Sequence, residues 1–344
     1  MSGLLEGLGA RCPIVQAPMA GAGGVALAVA AMRGRAIGSL PCAMLSAEQV
    51  AAQVAEVRAG ADGPLNLNFF CHTLPAPPDE TAWRALLAPY HAEEGVMPGD
   101  PPPLRRPFDA AACAVVEAVR PEVVSFHFGL PEAGLLARVR ASGAKVFGNA
   151  TCREEMHWLA ARGVDAVIVQ GAEAGGHSGW FLGGHRPTPL AELLAERADV
   201  PVIAAGGAVD GTGIAAALRA GASAVQIGTA YLACPESLIS GAFRALLGTD
   251  AAADGDFTNL FSGREARGIR NRLMRELGPI RAEAPAFPWA SNALAPLRAK
   301  AEADGRGDYS PLWAGTGAAR VRAMGAEALT ETLAAEAAAL MEDA

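Results

Sequence analysis

Three glycine-bearing stretches in this chain are suited to holding an oxyanion. Gly175-Gly176 lies just beyond the run AVIVQ, Gly206-Gly207 follows PVIAA, and Gly228-Thr229 follows AVQI. Glycine lets backbone N–H groups approach a phosphate closely, and a helix that begins just beyond adds its positive end. Thr229 can add a hydroxyl donor. The pattern is not a dinucleotide fingerprint, because Gly21-Ala22-Gly23-Gly24 lacks the required spacing and the acidic partner, and there is no Walker lysine. Other residues suit a flat heteroaromatic ring joined to that phosphate. The carboxamides of Asn68 and Gln170 can meet the pyrimidine edge of an isoalloxazine, and the turn Ala17-Pro18-Met19 offers an apolar surface to its face. Gln226, beside Ile227, can reach the chain between ring and phosphate.

Two histidines are placed for chemistry. His127 closes the run VVSFHF between Phe126 and Phe128, and His177 follows Gly175-Gly176. Histidine is the natural proton carrier near neutral pH. His177 could instead stabilise negative charge at a ring edge or bind substrate. His72, His91, His157 and His185 are too dispersed for a metal triad and read as loop or helix-surface residues.

These residues need a frame that gathers them at one end. Eight short apolar runs are predicted as strands: Pro13 to Pro18, Ala36 to Leu40, Leu65 to Phe70, Val123 to Phe128, Lys145 to Asn149, Ala166 to Gln170, Pro201 to Ala205 and Ala224 to Ile227. They are continuous more than alternating, as strands covered on both faces are. Helical patterns separate them. Ser46 with Gln49, and Thr151 with Glu154, have capping-box spacing, and Asp210 opens a third helix that Gly221 ends. Regular alternation implies parallel strands with right-handed crossovers. The expected fold is α/β, a (β/α)8 TIM barrel with an added, mainly helical substrate domain; a doubly wound sheet is the rival. In such a barrel the strand C-termini carry the active site, and phosphate lies after strands seven and eight.

The expected division assigns 1–71 and 108–234 to the barrel. Residues 72–107, with PAPP and DPPP, form an inserted lid or lobe, because they are too long for an ordinary βα loop. Residues 235–344 form a mainly helical cap. Lys300 and Tyr309 fall in that segment, where a cation could attract an anion, although a solvated helix charge is the simpler reading of Lys300. Arg264, Arg267 and Arg270 are expected to brace the cap to the barrel.

A formal net charge of -8 and the lack of a basic face argue against nucleic acid. No long uncharged apolar run suggests a membrane span, and the N-terminus lacks the order of a secretory signal, so the expected location is cytoplasmic. The six cysteines have no metal-binding spacing and read as buried free thiols. No metal site is expected.

In this order and spacing, APMAG, LNLNFF, VSFHFG, VQGAEAGGHSG, AAGGAVDG and QIGTA resemble the bacterial nitronate monooxygenases, formerly called 2-nitropropane dioxygenases. FTNLFSGREARGIRNRLMRELG and YSPLWAG are similar to later signature segments of that family, so the likeness runs from Pro13 to about Gly317. The resemblance implies an FMN barrel with a helical substrate domain. It also implies oxidation of alkyl nitronates by O2 to a carbonyl compound and nitrite. His127 then lies over the flavin, near the substrate's nitro group. Partners are a small anionic nitronate and O2, with a homodimer left open. The residue after WAG is Thr316 where the family usually has Gln, a departure in the C-terminal pocket. The alternative is an NAD(P)H-dependent FMN reductase on the same barrel, of enoyl-acyl-carrier or quinone type. A non-catalytic flavin-binding protein and a phosphosugar or nucleotide barrel enzyme are further rivals.

Overall fold

The computed structural model describes residues 3–97 and 104–342; the DPPP run at 100–103 lies outside them. Eight parallel strands form the barrel: β1 (Ile14–Gln16), β2 (Gly38–Pro41), β3 (Leu65–Phe70), β4 (Val123–His127), β5 (Lys145–Ala150), β6 (Ala166–Gln170), β7 (Val202–Ala205) and β8 (Ala224–Ile227). Each pairs with its neighbours, and β8 pairs with β1. A bridge between Val15 and Ile37 joins β1 to β2 and closes the ring. The expected barrel is therefore the observed one.

Side chains along a strand alternate between faces, and here both faces are covered. The outward residues Leu65, Leu67, Val124, Val146, Val167 and Val169 meet the surrounding helices. The inward residues Val15, Ile37, Val123, Phe147, Ala166, Ile168, Ile203 and Ala224 fill the barrel. Leu5, on the helix Gly3–Leu8, belongs to the same cluster, so that helix plugs the barrel's lower end. Towards the C-terminal ends of the strands the inward positions are polar: Asn68, His127, Asn149, Gln170 and Gln226. The pleat delivers these side chains to the upper end.

The helix Ala47–Gly60 starts with the full Ser46–Gln49 capping box, and Asp210 caps Gly211–Arg219 through the Gly213 N–H. The Thr151–Glu154 box is a correction. The helix starts at Arg153 with Cys152 as its cap, and Thr151 turns to Glu155 instead. Glu155 is fully buried, so its carboxylate must find donors. One oxygen accepts the Thr151 N–H and hydroxyl at 2.7 and 2.9 Å, and the other accepts the N–H groups of Phe181 and Leu182. Glu155→Ala strands four donors, each worth about 1–3 kcal/mol if left unsatisfied. The expected result is a loss of several kcal/mol in urea unfolding and early proteolysis within 178–184.

The helix Thr81–Glu94 packs on Ser291–Ala303. Trp83 Nε1 donates to the Ala290 carbonyl, His91 Nε2 meets the Ala293 carbonyl at 3.0 Å, and Arg306 pairs with Glu94. The inserted segment and the C-terminal region thus build one lobe. That lobe is not only helical: Gly255–Thr258 and Ala266–Ile269 form a hairpin, and Gly176–His177 adds a third antiparallel strand to it. The last helix, Ala326–Glu342, returns to pack against Gly211–Arg219 and Val25–Arg33, among the barrel's own helices. No described helix is long and apolar enough to cross a membrane.

Candidate active site

A cavity of about 470 Å³ opens at the C-terminal ends of the strands. It gathers most of the residues singled out above. Ala17, Pro18 and Met19 wall it on one side, and Asn68, His127, Gln170 and Gln226 line its floor. Gly175, Gly176, His177, Gly206, Gly207, Gly228 and Thr229 enclose it as well. Ile227 stays outside: its side chain points into the layer between strands and helices, and its carbonyl accepts the Ala17 N–H.

The glycine turns are shaped for close approach. Gly206 and Gly207 have φ of +131° and +73°, which a side chain adopts only with strain. A Cβ on Gly175 would come within 2.5 Å of the Ala314–Gly315 backbone, so the C-terminal segment lies directly on this turn. Thr229 Oγ1 accepts the Gly315 N–H at 2.9 Å and keeps its proton free to donate. Among the described residues, the N–H groups of Gly207, Gly228 and Thr229 find no acceptor in any turn or loop contact. The long helix after β7 offers less, because Asp210 and Glu336 already take its first N–H groups.

The carboxamides differ in what they leave free. Gln170 is largely committed: Nε2 donates to the His177 carbonyl at 2.8 Å, and Oε1 accepts from Gly179 N and Asn149 Nδ2. Asn68 uses Nδ2 on Ser125 Oγ at 2.9 Å. Gln226 Oε1 is buried with no partner among the described residues. A buried carbonyl oxygen left unmatched fits a site that completes itself with a polar ligand.

β4 ends on His127 because Phe128 and Gly129 turn left-handed, with φ of +68° and +95°. A bulky residue at positive φ is an outlier held by its surroundings. Here the Arg264 guanidinium covers the Phe128 ring at 4.2 Å and the Trp180 ring at 4.0 Å. His127 Nε2 lies 3.2 Å from the His177 carbonyl. That oxygen can only accept, so Nε2 carries the proton and Nδ1 is the free base. Ser262 Oγ donates to the Arg264 carbonyl and lies 2.9 Å from His177 Nε2, which is therefore also protonated on Nε2. Gly179 packs against the His127 ring, leaving no room for a Cβ.

Both imidazoles are neutral. Burial, aided by Arg264, pushes His127 down to about 3, while its bond to the His177 carbonyl opposes the shift. Burial and the neighbouring charge of Arg105 hold His177 well below the usual histidine range. His72, expected on a surface, is buried beside Phe287 and is pushed down to about 4 by burial. His91 is buried too. A depressed histidine binds its proton in the unfolded chain first, so it withdraws stability as pH falls through 6.5 and stops doing so below its folded pKa. Stability should therefore fall from pH 7 towards pH 4, by up to about 1.4 kcal/mol per pH unit for His127 alone. Urea midpoints across that range test this, and His127→Asn should flatten the slope.

Arg267 Nε donates to the Ala172 carbonyl and Arg264 bonds the Trp180 carbonyl, so both tie the hairpin to the loop after β6. Arg270 pairs with Asp256 inside the lobe instead. Lys300 pairs with Asp304 at 2.5 Å, and Tyr309 is buried against Glu94, so neither reaches the cavity. Thr316 N–H donates to the Glu173 carbonyl. Asn149, Phe70 and Arg105 are among the cavity residues that the sequence alone did not single out. Asn149 could have been found by counting two from the inward Phe147. Phe70 and Arg105 carry no local signal.

A family model for nitronate monooxygenase matches residues 3–336. Nitronate monooxygenases of Paraburkholderia phytofirmans and Pseudomonas aeruginosa are each 40% identical to this chain, over 96% of it and over 93% and 97% of their own lengths. A solved nitroalkane oxidase from Streptomyces ansochromogenes is 36% identical, with a TM-score of 0.92 over 99% of this chain and 100% of that one.

Proposed function

The chain belongs to the nitronate monooxygenase family, a family of flavin-dependent oxidoreductases acting on nitronates, and on that premise we propose that it uses FMN to oxidise alkyl nitronates with O2 to a carbonyl compound and nitrite. In this reading Gly206, Gly207, Gly228 and Thr229 hold the FMN phosphate, with Gly175 and Gly176 closing over it. Asn68, Gln170 and Gln226 meet the polar edge and side chain of the cofactor, and Ala17 to Met19 flank the ring. The bound flavin supplies the electron acceptor and the route to O2.

The observation that carries the substrate reading is that His127 and His177 each spend the Nε2 proton on a neutral oxygen and pair with no carboxylate among the described residues, an arrangement that favours the neutral imidazole. A half-buried imidazole held well below the usual histidine range is a poor base for taking a carbon-bound proton from a neutral nitroalkane. It suits a substrate that arrives already ionised. An anion brought beside it favours its protonated form, so binding raises the imidazole's pKa towards the useful range. His127 then holds the nitro group and shares a proton with it through Nδ1, while His177 and Ser262 keep the neighbouring wall in place.

The test starts from the yellow protein as isolated. FMN should be released on denaturation, and propionate-3-nitronate should consume O2 and yield nitrite. Coloured protein that forms no nitrite from any nitronate sinks the proposal, and rapid anaerobic bleaching by NADH would assign the barrel to a reductase instead.

A further inference from the structure

An anionic substrate is drawn in by a positive charge already present, and the cavity's histidines favour the neutral form until it arrives. Among the described residues the cavity lining holds two arginines, Arg105 and Arg298. Arg298 is already committed, since its Nε donates to Glu302 Oε1 at 2.8 Å and Glu302 lines the cavity beside it. Arg105 forms no ion pair among the described residues, and its Nε is buried without an acceptor. Its guanidinium lies 5.8 Å from the Phe287 ring, and that ring lies 5.3 Å from His177. Burial and the charge of Arg298 hold the guanidinium below its ordinary pKa. A half-buried cation without a counter-charge is costly, and an arriving anion removes that cost.

We propose that Arg105 is the anion-recognition residue of the substrate site, taking the two oxygens of the nitronate group in forked hydrogen bonds. The inference rests on the nitronate reading above. A nitronate is planar, with its charge shared over two oxygens, which matches the guanidinium fork as a carboxylate does. A neutral nitroalkane has the same two oxygens without the net charge, so Arg105 selects the ionised form. The residue reaches the cavity from the inserted segment, which gives that insertion a part in binding.

Arg105→Gln and Arg105→Lys, both purified with flavin, are compared with wild type on propyl-1-nitronate. Nitrite affinity is read separately from the perturbation of the flavin spectrum. The expected result for Arg105→Gln is a KM raised by roughly 10- to 100-fold and nitrite binding weakened by a similar factor. Arg105→Lys should recover part of both, because it keeps the charge and loses the fork. Affinity for neutral 1-nitropropane should stay within about 2-fold. A yellow Arg105→Gln protein with KM and nitrite affinity both within about 2-fold of wild type overturns the assignment. So does wild-type behaviour of Arg105→Lys, should the Gln variant not fold. Wild type that makes no nitrite from nitronates defeats the underlying reading, and Arg105 is then judged on nitrite affinity alone.

Discussion

His127→Gln should keep its flavin and lose roughly 10²- to 10⁴-fold in nitronate turnover, the range over which a positioned proton carrier acts. Glutamine places its Nε2 near the site of the ring Nε2 and can still donate to the His177 carbonyl, so the Gly176–Gly179 stretch that packs on this side chain keeps its anchor. What it lacks is the second ring nitrogen, Nδ1, which in the native tautomer is the only titratable position facing away from that bond. The loss should fall mainly on kcat, because Arg105 remains to bind the anion. Stopped-flow reduction of the flavin by nitronate, alongside steady-state nitrite formation, separates the two effects. Turnover within a few-fold of wild type would reduce His127 to a structural support for the loop.

Much of the barrel was legible because its signals are local. The runs LNLNFF, AVIVQ and AVQI occupy the bounds expected of them as β3, β6 and β8, since strands buried on both faces read as continuous apolar runs. Asn68, His127, Gln170 and Gln226 followed from position at the strand ends, and the pleat turns all four inward. Features fixed by distant partners were not legible. Gly255–Thr258 has no apolar run and becomes a strand only by pairing with Ala266–Ile269, which in turn takes up Gly176–His177. Glu154 had the better capping spacing, but Glu155 is the residue buried against the 181–182 amides. His72 and His91 looked like surface residues because burial by the lobe has no periodic trace in sequence. Arg105 follows a proline run that reads as a lid, and nothing nearby marks it as a half-buried cation at the cavity.

The glycine turns raise a harder question, because the same residues that could cradle a phosphate also let the chain pack tightly. Gly207 separates the two roles. Its φ of +73° lies in the left-handed region that asparagine and aspartate tolerate best after glycine, and an added Cβ would meet the Glu173 side chain at 3.3 Å. Gly207→Asn and Gly207→Asp therefore impose nearly equal steric cost and differ by one negative charge. If a phosphate dianion lies against this turn, that charge opposes it at short range, on the order of 4 kcal/mol for a pair at 4 Å near a protein surface. FMN should then bind the Asp variant at least roughly 100-fold more weakly than the Asn variant, and the Asp protein should emerge nearly colourless. Riboflavin has the ring and no phosphate, so its affinity should be the same in both variants. Equal FMN affinities would mean that the turn is glycine-rich for packing alone and that the anionic tail lies elsewhere. A riboflavin difference as large as the FMN difference would instead place the new carboxylate against the ring.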